Sequence, residues 1–283
     1  MKIARYIKDA APQIGIIKGH RIVSLKTLGV AIDDMIDLIN GGPSVLQDIE
    51  QRAANTDEGD DLSSVRLLAP LRPGKMLCIG MNYRRHADEA RKLGINVPDN
   101  QLWFNKQTSC VSGPYDAIEP GVTEKLDYEV ELGAVIGKAA KGVSRKHALD
   151  HVFGYIVGND VSARDWQMHS PTMTMGKSFD THGPIGPWIV TADEVIDPHS
   201  LGLRCFVNGE KRQDSNTSDL IYPIDEQIEY LSTAFTLEPG DILLTGTPEG
   251  VGIAMDPPQF LKAGDVVRCE IDKIGAIENT VAG

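Results

Sequence analysis

The chain has 283 residues, of which 41% are hydrophobic and 24% are charged, and these fractions are typical of a globular protein rather than a disordered or fibrous one. Its 40 Asp and Glu residues outnumber 28 Lys and Arg residues, which gives a formal net charge of −12. Because binding to phosphate groups needs clustered cations, no nucleic-acid partner is expected.

The N-terminal sequence and the cysteines favour a cytoplasmic protein. Charged residues interrupt the first twenty positions, so they predict no secretory signal, and no later apolar run is long enough to span a bilayer. The four cysteines are scattered without a C-x-x-C pair, which predicts reduced and mostly buried thiols. We therefore expect neither a membrane partner nor a disulfide framework.

The first seventy residues predict a small N-terminal domain. Two apolar runs at 14–18 and 21–23 flank Gly19-His20 and predict a hairpin. Helical periodicity follows around 35–39 and 45–53, then an acidic, turn-rich segment at 55–64 and a short strand at 65–68. The Pro- and Gly-containing segment 70–74 predicts a boundary between domains at 1–70 and 71–283.

Beyond this boundary, strands and loops predominate. Strands are predicted at 75–80, 127–136, 152–158 and 241–245, and a hairpin at 265–271 and 274–281. Ser144 is expected to cap a helix that runs to His151, and Ile224, Ile228 and Leu231 line one face of a helix after Pro223. The pattern indicates a β-rich α+β fold.

The segment DYEVELGAVI at 127–136 predicts a strand that presents carboxylates on one face. Since side chains alternate along a strand, Glu129 and Glu131 share a face, opposite to Tyr128 and Val130. Asp160 ends the next apolar strand and supplies a third oxygen if the two strands are neighbours. Oxygen ligands without nearby Cys or His favour Mg²⁺ or Mn²⁺, with Ca²⁺ as a further candidate. The alternative is an ordinary strand whose Glu side chains face solvent.

A histidine and a glutamate lie at helical spacing in the segment 81–92. His86 and Glu89 are i and i+3, so they can meet on one helix face. A carboxylate beside an imidazole fixes its tautomer and raises its basicity, which suits a general base that acts on water. The alternative is a solvated, charged helix in which Arg85 pairs with Glu89.

Two loops offer further polar groups. Lys177 lies in a turn-rich loop at 176–187 and is placed to meet an anionic group, unless it is simply a solvated surface lysine. The segment GTPEGVG at 246–252 lacks the features of a P-loop or a dinucleotide site, but Thr247 could offer a hydroxyl to a carboxylate. For His169, His182 and His199 we expect surface or loop positions.

Together these segments resemble the fumarylacetoacetate hydrolase family, from about residue 75 to the C-terminus. The resemblance is carried by CIGMNYRRHADE, LDYEVELG, GNDVSARDWQ, GKSFDTHGPIGP and GDILLTGTPEGVG, in this order. It implies a mixed β-sandwich roll for the large domain, an accessory N-terminal domain and a homodimer.

The resemblance also implies roles for individual residues. The family's metal-binding carboxylates fall on Glu129, Glu131 and Asp160. The catalytic set, a His–Glu dyad on a lid segment and an active-site lysine, falls on His86, Glu89 and Lys177. The positions that contact substrate fall on Arg164, Gln167 and Thr247.

The implied activity is metal-dependent C–C bond hydrolysis of a 2,4-dioxo acid, such as fumarylpyruvate or acetylpyruvate, in the degradation of aromatic compounds. The tyrosine-degrading member adds an aspartate ligand upstream of its histidine, whereas residues 75–83 here contain no carboxylate, which favours the smaller acylpyruvate or oxaloacetate type. Alternatives are an oxaloacetate decarboxylase, a keto–enol isomerase of 2-oxo acids using the same metal site, and a non-catalytic metabolite-binding protein.

Overall fold

A computed structural model describes residues 1–92 and 94–283 of the chain. The strands in these residues are β1 (Lys2–Lys8), β2 (Ala11–Lys18), β3 (Arg21–Ser24), β4 (Asp60–Asp61), β5 (Arg66–Leu68), β6 (Met76–Gly80), β7 (Leu102–Lys106), β8 (Val111–Ser112), β9 (Leu126–Asp127), β10 (Val130–Ile136), β11 (Val152–Asn159), β12 (Ser162–Ala163), β13 (Gly183–Thr191), β14 (Gly202–Val207), β15 (Glu210–Asn216), β16 (Ile242–Leu244), β17 (Val266–Ile271) and β18 (Gly275–Thr280). The α-helices are α1 (Met35–Asn40), α2 (Gly42–Ala54), α3 (Arg84–Lys92), α4 (Arg145–Ala148), α5 (Arg164–Gln167), α6 (Thr174–Lys177) and α7 (Ile224–Ala234). Short 3₁₀ turns occupy Leu62–Ser64, Thr108–Cys110, Leu149–His151, Ala192–Glu194, Thr217–Asp219 and Gly252–Ala254.

Most strands belong to one twelve-stranded mixed sheet. Its order is β4-β3-β2-β1-β13-β11-β10-β16-β6-β7, with β5 beside β1 and β8 beside β13. The β16–β6 and β13–β8 pairs are parallel. A separate antiparallel sheet has the order β15-β14-β17-β18, and β9 pairs with β12. The predicted β-rich α+β class with a mixed sheet is confirmed.

The large sheet buries apolar side chains on both faces. Ile156 and Val157 are consecutive in β11 and lie in different core layers, because strand side chains alternate between faces. The layer with Val157 packs against the four-stranded sheet and α7, and the layer with Ile156 packs against α1 and α2. Both faces of β10 and β11 are therefore covered, so polar side chains carried by these strands are shielded from bulk water.

The N-terminal residues extend the large sheet. The hairpin, the helices near 35–39 and 45–53 and the strand near 65–68 are found as predicted, as β2–β3, α1, α2 and β5. β1 pairs with β13 through Ile3 and Ile189, so both parts of the chain contribute to one sheet. The division at residue 70 stays a prediction.

Three local expectations need correction. The acidic segment forms two strands, β9 and β10, rather than one, and Tyr128 and Glu129 lie between the two strands. The side chains of Tyr128 and Glu129 still point to opposite sides, as in a strand. The helical segment predicted within 81–92 is shorter than that range: α3 begins at Arg84, and Met81 has a left-handed φ of 55°, which no helical residue adopts. Ser144 precedes α4 but makes no capping hydrogen bond, and the last turn to His151 is 3₁₀.

All four cysteines are buried, so the predicted burial of the thiols is confirmed. Among the helices that the structure describes, none combines the length and apolar character required to cross a bilayer.

Candidate active site

Three carboxylates converge where β10 and β11 meet. Glu129, Glu131 and Asp160 are buried, and each offers an oxygen within 4.8 Å of the others. The strand register explains this convergence: Val130 pairs with Asn159, and the Asp160 N–H donates to the Glu129 carbonyl at 2.9 Å. The alternative of a Glu-bearing strand face in solvent is therefore wrong.

Buried cations surround these carboxylates. The Lys177 Nζ lies 2.9 Å from Glu129 Oε2 and 2.8 Å from Asp160 Oδ2, and the Lys106 Nζ lies 2.6 Å from Asp160 Oδ1. Arg164 Nη2 is 2.7 Å from Glu129 Oε1. Lys177 is only 2% exposed, so the alternative of a solvated surface lysine is wrong.

The two glutamates of the strand have opposite electrostatic environments. Burial alone would raise the pKa of Glu129, but Lys177 and Arg164 lower that pKa to about 2. Burial, followed by the charges of Asp160 and Glu129, holds the pKa of Glu131 well above its ordinary value. Glu131 is stabilised by one N–H donor, that of Gly246 at 2.8 Å. The charge on the triad is thus only partly compensated by the side chains around it.

The triad has the donor chemistry that a hard divalent cation requires. All three groups are oxygen donors, and clustered carboxylates repel one another unless a cation lies between them. Asp127 joins the triad to make four buried carboxylates, whereas the buried cations of the site are Lys106, Arg164 and Lys177. An added divalent ion would leave a net positive site, which suits an anionic substrate. These residues fit Mg²⁺ or Mn²⁺.

The His–Glu pair is formed on α3. His86 Nδ1 lies 2.9 Å from Glu89 Oε2, and Glu89 Oε1 accepts the Gly250 N–H at 3.1 Å. Arg85 instead contacts Glu249 at 3.3 Å, so the alternative Arg85–Glu89 ion pair is wrong. The carboxylate fixes Nδ1 and leaves Nε2 for proton exchange.

Helices α5 and α6 carry three predicted site residues, of which Arg164 and Lys177 contact the triad. Arg164 and Gln167 lie on α5, and Arg164 Nη1 donates to Gln167 Oε1 at 3.0 Å. Lys177 ends α6, which lies directly against α5. A Cβ on Gly176 would lie 2.3 Å from the Cα of Gln167, so only glycine permits this approach.

The hydroxyl of Thr247 accepts a hydrogen bond from a buried glutamine. Gln213 of β15 is buried, and its Nε2 donates to Thr247 Oγ1 at 2.9 Å and to the Pro248 carbonyl at 2.8 Å. Its Oε1 accepts the Val130 N–H at 3.0 Å. Gln213 therefore links the threonine loop to β10, the strand that carries Glu131.

One cavity of about 340 Å³ joins the triad and the dyad. Seven of the nine predicted site residues line it, namely His86, Glu129, Glu131, Arg164, Gln167, Lys177 and Thr247. Glu89 and Asp160 contact lining residues from outside. Much of the remaining wall is apolar, with Ile79, Leu102, Val251 and Ile253 among its members. The predicted residues thus form one constellation, while their individual roles stay predictions.

Several residues of the site escaped sequence reasoning. Lys106, Asp127 and Gln213 contact predicted site residues, yet no local spacing singled them out. His182 lies in a loop just before β13, which is one of the two positions expected for it, but its side chain is fully buried. Its Nε2 lies 3.0 Å from the Glu119 carbonyl oxygen, and burial, followed by the charge of Lys106, lowers its pKa to about 4.

Comparison with known proteins identifies the family of the chain. The family described as "Fumarylacetoacetate (FAA) hydrolase C-terminal" matches residues 75–282. The chain is 44% identical over 278 residues to the protein named oxaloacetate tautomerase fahd2, mitochondrial, of Xenopus laevis, covering 96% of this chain and 86% of the relative. This chain belongs to the fumarylacetoacetate hydrolase family of enzymes.

Two solved structures share the whole fold. A fumarylacetoacetate hydrolase from psychrophilic Exiguobacterium antarcticum is 35% identical with a TM-score of 0.85, and the match covers 100% of this chain and 99% of the other. Maleylpyruvate hydrolase from Sphingobium sp. SYK-6, in complex with manganese(II) and pyruvate, is 32% identical with a TM-score of 0.83 and the same coverage. The predicted family and fold are confirmed.

Proposed function

We propose that this chain is a keto–enol tautomerase of small 2-oxo acids, with oxaloacetate as a substrate. The observation that carries the proposal is that one cavity is lined both by His86, which is paired with Glu89, and by Glu129 and Glu131 of the buried carboxylate triad. The Xenopus laevis relative, named an oxaloacetate tautomerase, supports this choice of substrate.

Tautomerisation requires a proton to leave C3 and a proton to reach the 2-oxo oxygen. Glu89 orients the imidazole of His86, whose Nε2 accepts the proton from C3 and delivers it to the 2-oxo oxygen; in the reverse direction Nε2 carries the proton from that oxygen back to C3. Arg164 and Lys177 attract the anionic substrate to the cavity, and the apolar wall limits access of water. A divalent cation held by Glu129, Glu131 and Asp160 would act as a Lewis acid towards the oxo-acid end of the substrate.

A second candidate is hydrolysis of a C–C bond in a 2,4-dioxo acid. It is favoured by the cavity, whose volume of about 340 Å³ and apolar wall extend beyond what a four-carbon diacid needs. In this reaction His86 takes a proton from water, and the resulting hydroxide attacks the C4 carbonyl carbon. The C3–C4 bond then breaks: its electrons pass to C3 and give the enolate of pyruvate, and C4 becomes the carboxyl group of the released acid. Lys177 offsets the developing negative charge, and His86 returns its proton to the enolate. Decarboxylation of oxaloacetate needs no attacking water.

The experiment compares these reactions in one preparation. The protein is stripped of metal, and oxaloacetate tautomerisation, oxaloacetate decarboxylation and hydrolysis of acetylpyruvate and fumarylpyruvate are followed with and without Mg²⁺. His86→Gln is expected to remove Mg²⁺-dependent tautomerisation. His147 and Asp150 form a surface pair at the same i, i+3 spacing, with Nδ1 and Oδ2 3.2 Å apart, so His147→Gln is the matched control.

The outcomes separate the candidates. Tautomerisation that persists without metal, or that survives His86→Gln, would contradict the proposal. Mg²⁺-dependent hydrolysis without tautomerisation would replace it by the second candidate, and calorimetric binding of 2-oxo acids without any turnover would indicate the metabolite-binding protein.

We also propose a homodimer in the cytoplasm, as the sequence predicts. The Xenopus laevis relative is named as mitochondrial, so cell fractionation is the decisive measurement for the compartment. Light scattering of the purified protein measures the oligomeric state.

A further inference from the structure

Asp127 is a buried carboxylate with no predicted role, and it does not line the cavity. It lies at the end of β9, opposite Ser162 of β12, and Arg164 follows two residues after Ser162. This short strand pair brings the aspartate against the arginine that contacts the triad. Both side chains are withdrawn from water, so their pairing is not a surface ion pair of small consequence.

Four donors from three segments converge on this one carboxylate. Its Oδ1 accepts the N–H groups of Tyr128 at 2.9 Å and Gly252 at 2.7 Å. Its Oδ2 accepts Arg164 Nε at 2.8 Å and the Ile253 N–H at 3.0 Å. Asp127 thus joins the strand that carries Glu129, the guanidinium and the loop 246–253.

The bond to Nε sets the direction of the guanidinium. With Nε held by Asp127, Nη1 reaches Gln167 at 3.0 Å and Nη2 reaches Glu129 at 2.7 Å. The loop 246–253 also packs closely against Asp127, because a Cβ on Gly252 would lie only 2.6 Å from Asp127 Oδ1. The same loop supplies Thr247, Val251 and Ile253 to the cavity wall.

We propose that Asp127 is a positioning residue for substrate binding, which acts through Arg164 and the loop 246–253. Without its charge, the guanidinium keeps Glu129 as its carboxylate partner and turns towards it, and the loop loses two N–H anchors. The proposal rests on the proposed function in taking a 2-oxo acid as the ligand. Because Asp127 neither lines the cavity nor contacts the dyad, its loss is expected to affect binding more than the proton transfer.

The test uses Asp127→Asn in the full chain. Whichever of the two carboxylate oxygens the Asn amide nitrogen replaces, that nitrogen faces N–H donors, so the four hydrogen bonds cannot all be kept. Binding of oxalate, a planar analogue of a 2-oxo acid, is measured by calorimetry at saturating Mg²⁺, alongside kcat, KM and Tm. We expect an increase of about tenfold or more in the oxalate Kd and in KM, with kcat changed less than about threefold.

Asp241→Asn is the matched structural control. Asp241 is also buried, accepts the N–H groups of Lys75 and Glu238, and pairs with Lys75 Nζ at 2.7 Å. It lies just before β16, at the end of the β16–β6 pair opposite to Gly246 and Met81. This variant is expected to lower Tm while leaving the oxalate Kd unchanged.

A double-mutant cycle tests whether Asp127 acts through Arg164. In an Arg164→Lys background, Asp127→Asn is expected to raise the oxalate Kd by less than about threefold, because the oriented guanidinium is already lost. An equal effect of Asp127→Asn in both backgrounds would overturn the proposal.

Asp127→Glu keeps the charge but moves the carboxylate by one methylene, so it perturbs the same four contacts, and it decides the question if Asp127→Asn does not fold. An oxalate Kd that stays at the wild-type value in the folded variants would overturn the proposal. Absence of oxaloacetate turnover in the wild-type protein would refute only the proposed function, since the oxalate Kd values are compared independently of turnover.

Discussion

Replacement of the buried His182 by Gln should change how stability depends on pH. The folded-state pKa of His182 is lowered to about 4 from an ordinary value of 6.5, chiefly by burial and then by Lys106. The unfolded chain therefore binds a proton below pH 6.5 that the folded chain rejects, and folding stability falls as the pH drops towards 4. His182 contributes its full stabilisation only above pH 6.5.

The size of the effect follows from this difference in pKa. Linkage gives a loss of about 2 kcal/mol at pH 5 and about 3 kcal/mol at pH 4 relative to pH 7.5. His182→Gln keeps a donor for the Glu119 carbonyl but cannot titrate. Urea unfolding of both proteins from pH 4 to 7.5 measures the difference, because all other titrating groups are shared. Parallel stability curves for the two proteins would refute the reasoning.

Three further changes test the site. His86→Gln should lower kcat by about 100-fold or more, because it removes the proton carrier, without a matching loss of Mg²⁺ affinity. Steady-state kinetics measures kcat and calorimetry measures the Mg²⁺ affinity. An unchanged kcat would exclude a role of His86 as the proton carrier. Lys106→Met should destabilise the metal-free protein by about 3 kcal/mol, with a fall in Tm of about 5 °C, because Asp160 loses one of its two lysine partners, the one at 2.6 Å, and keeps only Lys177. Added Mg²⁺ should narrow this gap in Tm, and a gap that Mg²⁺ widens would contradict the charge argument. Gln213→Leu should raise KM several-fold and reduce the free energy of unfolding by about 2 kcal/mol. The change removes the hydrogen bond to Thr247 and leaves the Val130 N–H without an acceptor. A KM at the wild-type value would show that the position of Thr247 does not depend on Gln213.

The parts of the site that the sequence predicts are those set by local geometry. Glu129 and Glu131 share one side of the chain, as predicted, although Tyr128 and Glu129 interrupt the strand. Tyr128 and Val130 still point to the opposite side, into the core. His86 and Glu89 meet because one helical turn separates them. In both cases a few neighbouring residues determine the contact.

The parts that escaped prediction depend on pairing between distant segments. Lys106 reaches Asp160 only because the large sheet and the loop after β11 bring together residues 54 positions apart. Asp127 becomes a buried acceptor only when β9 pairs with β12 and the loop at 252–253 covers it. A single lysine or aspartate in a short polar segment is equally compatible with solvent exposure, so local pattern could not distinguish these residues.

Binding of Mn²⁺ to the metal-free protein, followed by electron paramagnetic resonance, tests most directly whether the buried triad holds a divalent cation. The wild-type chain is expected to bind one ion, Glu131→Gln to bind it at least about 100-fold more weakly, and Glu278→Gln, at an exposed carboxylate of β18, to bind it as the wild type does. Equal Mn²⁺ affinity in the wild type and Glu131→Gln would contradict the account.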